Sequence, residues 1–194
     1  MDFLLRLKHW QIFLLLIGLP IIIRIPLMIK KITSEDSFSG FDNINFLSLL
    51  PMIISMTVSL GWFYVIGKSL HKKLPNSVKM NLARFKIFLF ILVVYALLIC
   101  IFTLFRITYT FANEEIPALG LYGLFVPLQL FSMFCIFYCM YFNAKALKAI
   151  EMQRPVTFED FAGDFFSFLF YPIGVWFIQP RINKLFDNKN ELPA

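Results

Sequence analysis

Charge is scarce in this chain, and histidine is scarcer. Only 15% of the residues are Asp, Glu, Lys or Arg, and His9 and His71 are the two histidines. A soluble globular domain carries about 25% charged residues. His9 stands at the edge of an apolar run and His71 in a polar loop, so no histidine pair is placed to ligate haem inside a bilayer. The apolar runs hold no Asp, Glu, Lys or His beyond their ends, and no Ser-His-Asp set, HExxH, P-loop or GxGxxG occurs. No catalytic, cofactor or metal site is expected. The three cysteines, Cys100, Cys135 and Cys139, all fall within apolar runs, and an odd number argues against a disulfide framework. Cys135 and Cys139 share a helix face, but a soft metal would need further ligands, and Cys100 alone offers itself. They read as small apolar residues.

What fills the chain instead is apolar and aromatic: 59% hydrophobic, 18% Phe, Trp or Tyr, with 25 phenylalanines in 194 residues. One small water-soluble core cannot hide so much. Spanning helices can, because lipid accepts apolar side chains all round a helix. Four apolar runs, about residues 10–29, 46–67, 87–105 and 119–142, approach the length of about 20 residues that crosses a bilayer. The expected fold is an all-α integral membrane protein, a single domain over 1–194, with four transmembrane helices. A fifth apolar run, 165–178, is shorter and contains Pro172 and Gly174. With the amphipathic stretch before it, the segment 157–179 is expected to be interfacial or re-entrant, and it spans only if its helix begins near Phe161.

The cations set the direction. Residues 68–86, KSLHKKLPNSVKMNLARFK, hold Lys68, Lys72, Lys73, Lys79, Arg84 and Lys86 and no acid. Such a loop is retained in the cytoplasm during insertion. The N-terminus then lies on the cytoplasmic side, with Arg6, Lys8, Lys145, Lys148 and Arg154, and with the tail cations Arg181, Lys184 and Lys189 if the last segment does not cross. Only Arg24, Lys30, Lys31 and Arg106 fall outside. The net charge of +6 thus follows topology and needs no nucleic acid partner. The expected location is the inner membrane of a bacterium.

Individual residues stand out against this background. Trp10 suits the headgroup belt, and Pro20 and Pro26 are expected to kink the first helix. Arg24 either faces the bundle as a binding or relay group or snorkels outward to headgroups. Ser48, Ser55 and Ser59 line one face of the second helix, as a close-packing surface does. Glu114 and Glu115 belong to an external loop, where they are either solvated or ready for a cation or partner. Thr157 and Asp160 form a capping-box pattern that opens a new helix, with Phe158, Phe161 and Phe165 on one side and Glu159, Asp160 and Asp164 toward the other. Those acids lie on the same side of the membrane as Lys68, Lys72 and Lys73, and pairing between the two groups is expected.

Residues 144–186, AKALKAIEMQRPVTFEDFAGDFFSFLFYPIGVWFIQPRINKLF, are similar to the end of a group of small bacterial inner-membrane proteins that close on a PIGVWFIQPRIN-type segment. The LKHW at Leu7 to Trp10 is a weaker echo. The resemblance carries no activity. It implies that Pro172, Gly174, Trp176, Gln179, Pro180, Arg181 and Asn183 act as a unit, either plugging the bundle or meeting a partner or ligand. Pro172 and Gly174 break a helix, and Gln179, Arg181 and Asn183 are the nearest groups able to satisfy the freed backbone. The expected role is an accessory or assembly subunit that works by contact with other membrane proteins. The alternative is a small transporter or ligand- or lipid-binding protein using Arg24 and the C-terminal segment.

Overall fold

The computed structural model describes residues 3–33, 49–111 and 118–187. Glu114, Glu115 and Ser48 lie outside these residues, whereas residues 30–33 and 106–111, expected in the two external loops, are helical. Every regular element among the described residues is helical: α1 (Phe3–Arg6), α2 (His9–Phe13), a π-helical turn (Leu14–Gly18), α3 (Leu19–Thr33), α4 (Leu49–Lys72), α5 (Leu82–Phe111), α6 (Ala118–Met152), α7 (Phe158–Leu169) and α8 (Tyr171–Asp187). Four stretches are long and apolar enough to cross a membrane: His9–Pro26, Leu49–Lys72, Leu82–Phe105 and Phe125–Met152. Helix is the expected answer, because hydrocarbon offers no partner to a backbone N–H or C=O and the helix satisfies both internally.

The helices outrun the apolar runs that announced them. α6 continues well beyond Phe142 because Ala144, Ala146, Leu147, Ala149 and Ile150 are all buried there. It ends where Gln153 adopts a φ of 53° and donates from its side chain to the Ile150 carbonyl at 2.6 Å. Pro155 then prevents the helix from resuming. Asn81 starts α5, its side-chain oxygen accepting the Arg84 N–H at 3.1 Å. Thr157 and Asp160 form their capping box, with the Thr157 N–H donating to Asp160 Oδ2 at 2.9 Å. The strain expected at Pro20 is met by the π turn. Pro20 supplies no N–H and crowds the carbonyl of Leu16, and the wider turn just before it makes room.

Among the described residues the buried core gathers at one end of the bundle. The buried core joins Ile12 and Leu16, Trp62, Ile66 and Leu70 of α4, Phe85 of α5, Phe142 and Leu147 of α6, Phe161 and Phe168 of α7, and Ile178 and Ile182 of α8. Toward the opposite end Ile22, Ile25, Leu50, Leu97, Ile101, Leu130 and Phe131 are exposed.

The fifth apolar run is not one segment. It breaks at Phe170 (φ −93°, ψ 47°), and the chain reverses. α7 and α8 lie antiparallel, with Ser167 beside Gly174 and Asp164 beside Arg181. A single span over 165–178 is therefore excluded, and the boundary drawn at 157–179 becomes two helices. Pro172 sits in the first turn of α8, where its missing N–H costs nothing. Gly174 is there for space: a Cβ would stand 1.7 Å from the Ser167 carbonyl oxygen.

Gly174→Ala is expected to force the hairpin apart and cost about 3 kcal/mol or more, at the upper end of overpacking penalties. Gly163→Ala meets nothing within 4 Å, so it is expected to stabilise α7 by up to about 1 kcal/mol. Melting temperatures of both variants in detergent check the pair.

Candidate functional site

The polar unit of α8 closes the bundle against the N-terminus. A four-residue helix such as α1 leaves its last carbonyls without partners. Gln179, fully buried, fills that need: its Nε2 donates to the Leu7 carbonyl at 3.1 Å and lies 3.3 and 3.4 Å from those of Leu4 and Leu5. The same nitrogen is 3.0 Å from Asn183 Oδ1, and Asn183 Nδ2 donates to the Leu7 carbonyl at 3.2 Å. The other end of the Gln179 amide accepts the Trp62 indole N–H at 3.1 Å. One side chain thus ties α1, α4 and α8 together. Trp176 adds an aromatic clasp on the same side, its ring centroid 4.6 Å from that of His9 and 5.8 Å from that of Phe13.

Arg181 makes the second tie. Its Nε donates to Glu151 Oε1 at 2.7 Å, its Nη2 donates to Asp164 Oδ2 at 3.0 Å, and its Nη1 pairs with the other oxygen of Asp164. Three helices, α6, α7 and α8, therefore meet on one guanidinium. Burial works against the charge, but the hydrogen bonds to Glu151 and Asp164 outweigh it and push the Arg181 pKa above its ordinary value. The group stays ionised at any working pH. The planar fork fits two carboxylates at once, which a lysine does not.

The pairing expected between the acids of α7 and Lys68, Lys72 and Lys73 is not the one present. Asp164 goes to Arg181, and Asp160 goes to Arg154 at 3.2 Å. Lys68 lies over the Tyr64 ring, Lys73 donates to the Leu185 carbonyl and lies over the Phe186 ring, and Lys72 and Glu159 are exposed. Partners nearer in the fold win, because a long lysine in water gains little from a distant acid. The convergence on one end nonetheless holds: α1, the 73–81 connection left of the expected 68–86 loop once α4 and α5 extend into it, the end of α6 and the end of α8 all meet there. His71 fixes the loop through a 3.0 Å contact with the Met80 carbonyl. Arg24 is far from this end, exposed on α3 beside Pro20 and Pro51. It lines a cavity of about 300 Å³ between α3 and α4 with Pro20, Pro51, Met52, Ser55 and Met56.

Two buried groups carry no mark in the sequence. Asn143, fully buried, donates from Nδ2 to the Phe63 carbonyl at 3.3 Å, while its Oδ1 has no hydrogen-bond partner. That oxygen rests against Gly67, where a Cβ would be 2.7 Å away. Trp62, the second, is the buried partner of Gln179. Cys135 and Cys139 are buried on α6, whereas Cys100 lines a groove between α4 and α5. Among the described residues no three His, Cys, Asp or Glu side chains are grouped to hold a metal.

Gln179→Leu is expected to leave the Trp62 indole and the α1 carbonyls unpaired, at a cost of about 2–4 kcal/mol. Limited proteolysis of the N-terminus, accelerated before the bundle itself melts, is the measurement. Asp160 gives a pH signature. The Thr157 backbone N–H, and then Arg154, hold its carboxyl below the ordinary value of 3.8. Its contribution is complete above that value and is lost as pH falls through the lowered one. Acid unfolding of Asp160→Asn should lack this component. No known protein family, curated protein or solved structure matches this chain.

Proposed function

We propose that this protein is a non-enzymatic accessory or assembly subunit of a bacterial inner membrane, oriented with its N-terminus in the cytoplasm and acting through lateral contact with other membrane proteins. The observation that carries this reading is how the chain spends its polar groups. The unit expected to be a ligand site, Gln179, Arg181 and Asn183, is committed to the chain's own backbone and carboxylates. The transporter alternative built on these residues therefore loses its C-terminal anchor and keeps only Arg24, which is exposed on the α3–α4 cavity. What remains available among the described residues is apolar surface away from that core.

The orientation rests on the cations. The N-terminus, the 68–86 loop and the end of α8 belong to one end, through the contacts of Gln179 with α1 and of Lys73 with Leu185. A shared cationic end is the one retained in the cytoplasm. The α7–α8 hairpin then enters from the cytoplasmic face and returns to it.

A photo-crosslinking amino acid at Ile22, Ile101 or Phe131, each exposed on an apolar face, is expected to capture the same discrete membrane protein in living cells. Adducts with lipid alone at all three positions would remove the reading.

A further inference from the structure

Away from the polar latch, several elements bring uncharged polar side chains to one depth. Ser55 and Ser59 lie near the middle of the apolar run of α4, Tyr95 near the middle of that of α5, and Gln129 and Ser132 near the middle of that of α6. They border one cleft of about 390 Å³, and Tyr171, at the tip of the α7–α8 hairpin, stands on its wall. No charged side chain lines it, and the remaining walls are apolar. Its size falls in the range of small-ligand sites.

A count of donors shows what the cleft lacks. The Ser59 hydroxyl donates to the Ser55 carbonyl at 2.7 Å, Ser55 to the Leu16 carbonyl at 3.4 Å, and Ser132 to the Gln129 carbonyl at 2.8 Å. The Tyr95 hydroxyl donates to Gln129 Oε1. That bond engages the Gln129 amide oxygen; the residue is exposed, and its Nε2, with two N–H donors, has no protein acceptor among the described residues. The Tyr171 hydroxyl is in the same position. At mid-membrane depth no water is at hand to accept, and an unmet donor in hydrocarbon is costly.

We infer that this cleft binds an uncharged, lipid-soluble molecule that places a carbonyl oxygen against the Gln129 amide and Tyr171 hydroxyl and runs a hydrocarbon chain along the apolar walls. A charged headgroup is excluded, because the cleft offers no counter-charge to offset its desolvation. The ester carbonyl of a bilayer phospholipid and that of a free neutral lipid have the same chemistry, so the test separates them. The inference does not rest on the accessory role proposed above.

The full-length protein in phosphatidylcholine nanodiscs would be irradiated with a diacylglycerol carrying a diazirine in one acyl chain, and in parallel with a phosphatidylcholine carrying the same chain. Saturable labelling of peptides containing Met56, Ala96 or Met133 by the diacylglycerol is expected, with displacement by unlabelled diacylglycerol. Gln129→Leu, which removes the donor, should weaken that binding about tenfold. Met56→Trp fills the cleft from the opposite wall, should also abolish labelling, and leaves Gln129 untouched should the first variant fold poorly. Labelling that never saturates, or that both variants leave unchanged, overturns the inference. So does equal labelling by the phospholipid without displacement, which would make the occupant an ordinary bilayer chain. Disulfide capture between copies of Gln129→Cys would overturn it too, by showing that the amide serves a helix–helix contact.

Discussion

A hydrogen-bonding group in hydrocarbon must find its partner within the protein. The fold is arranged around that demand at the place where it is hardest to meet, the end of a helix too short to satisfy itself. α1 presents carbonyls from Leu4 to Leu7, and the Gln179 amide reaches them from the far end of the chain. Without that contact, and those of Asn183 and Trp176, the N-terminal segment would lose its hold on α8. The buried cluster from Trp62 to Ile182 would then open to lipid on one side.

The same constraint explains why the C-terminal hairpin takes its form. A helix that reverses exposes carbonyls at its tip, and the backbones must come close for the two arms to shield each other. Gly174 permits that approach and Pro172 prevents α7 from simply running on. Arg181 locks the open ends of the arms, since it satisfies Asp164 on α7 and Glu151 on α6 with one rigid fork. Gln179 and Arg181 are thus complementary: one ties the hairpin to the start of the chain, the other to the end of the longest helix. Among the described residues the polar groups left over are the Asn143 amide oxygen and those on the cleft around Gln129.

Much of this was legible before any coordinates. The spanning helices follow from runs of apolar residues, and the capping box at Thr157 and Asp160 follows from local spacing. Gln179, Arg181 and Asn183 were legible as polar groups in need of partners. Their partners were not. Leu7 and Trp62 are remote from Gln179 in sequence, and nothing in a list of residues says which carbonyl an amide will meet. The pairing expected for Lys68, Lys72 and Lys73 failed for a related reason. Opposite charge on one membrane face is a weak condition, and Arg154 and Arg181 reached the same acids from closer positions. Asn143 passed unnoticed because one asparagine at the end of an apolar run looks like a boundary, when it is in fact a buried cross-link to α4.

The sequence by itself determined that this chain dwells in lipid, how many helices can cross it, and where the capping box opens α7. These depend on hydropathy and on caps, both of which act over a few neighbouring residues. Only the tertiary structure decided that the last apolar run turns back at Phe170, that Gln179 fastens the two chain ends together, and that the polar residues of three helices share one cleft. Those outcomes depend on which surfaces approach within hydrogen-bonding distance, and that is fixed by packing among segments far apart in the chain.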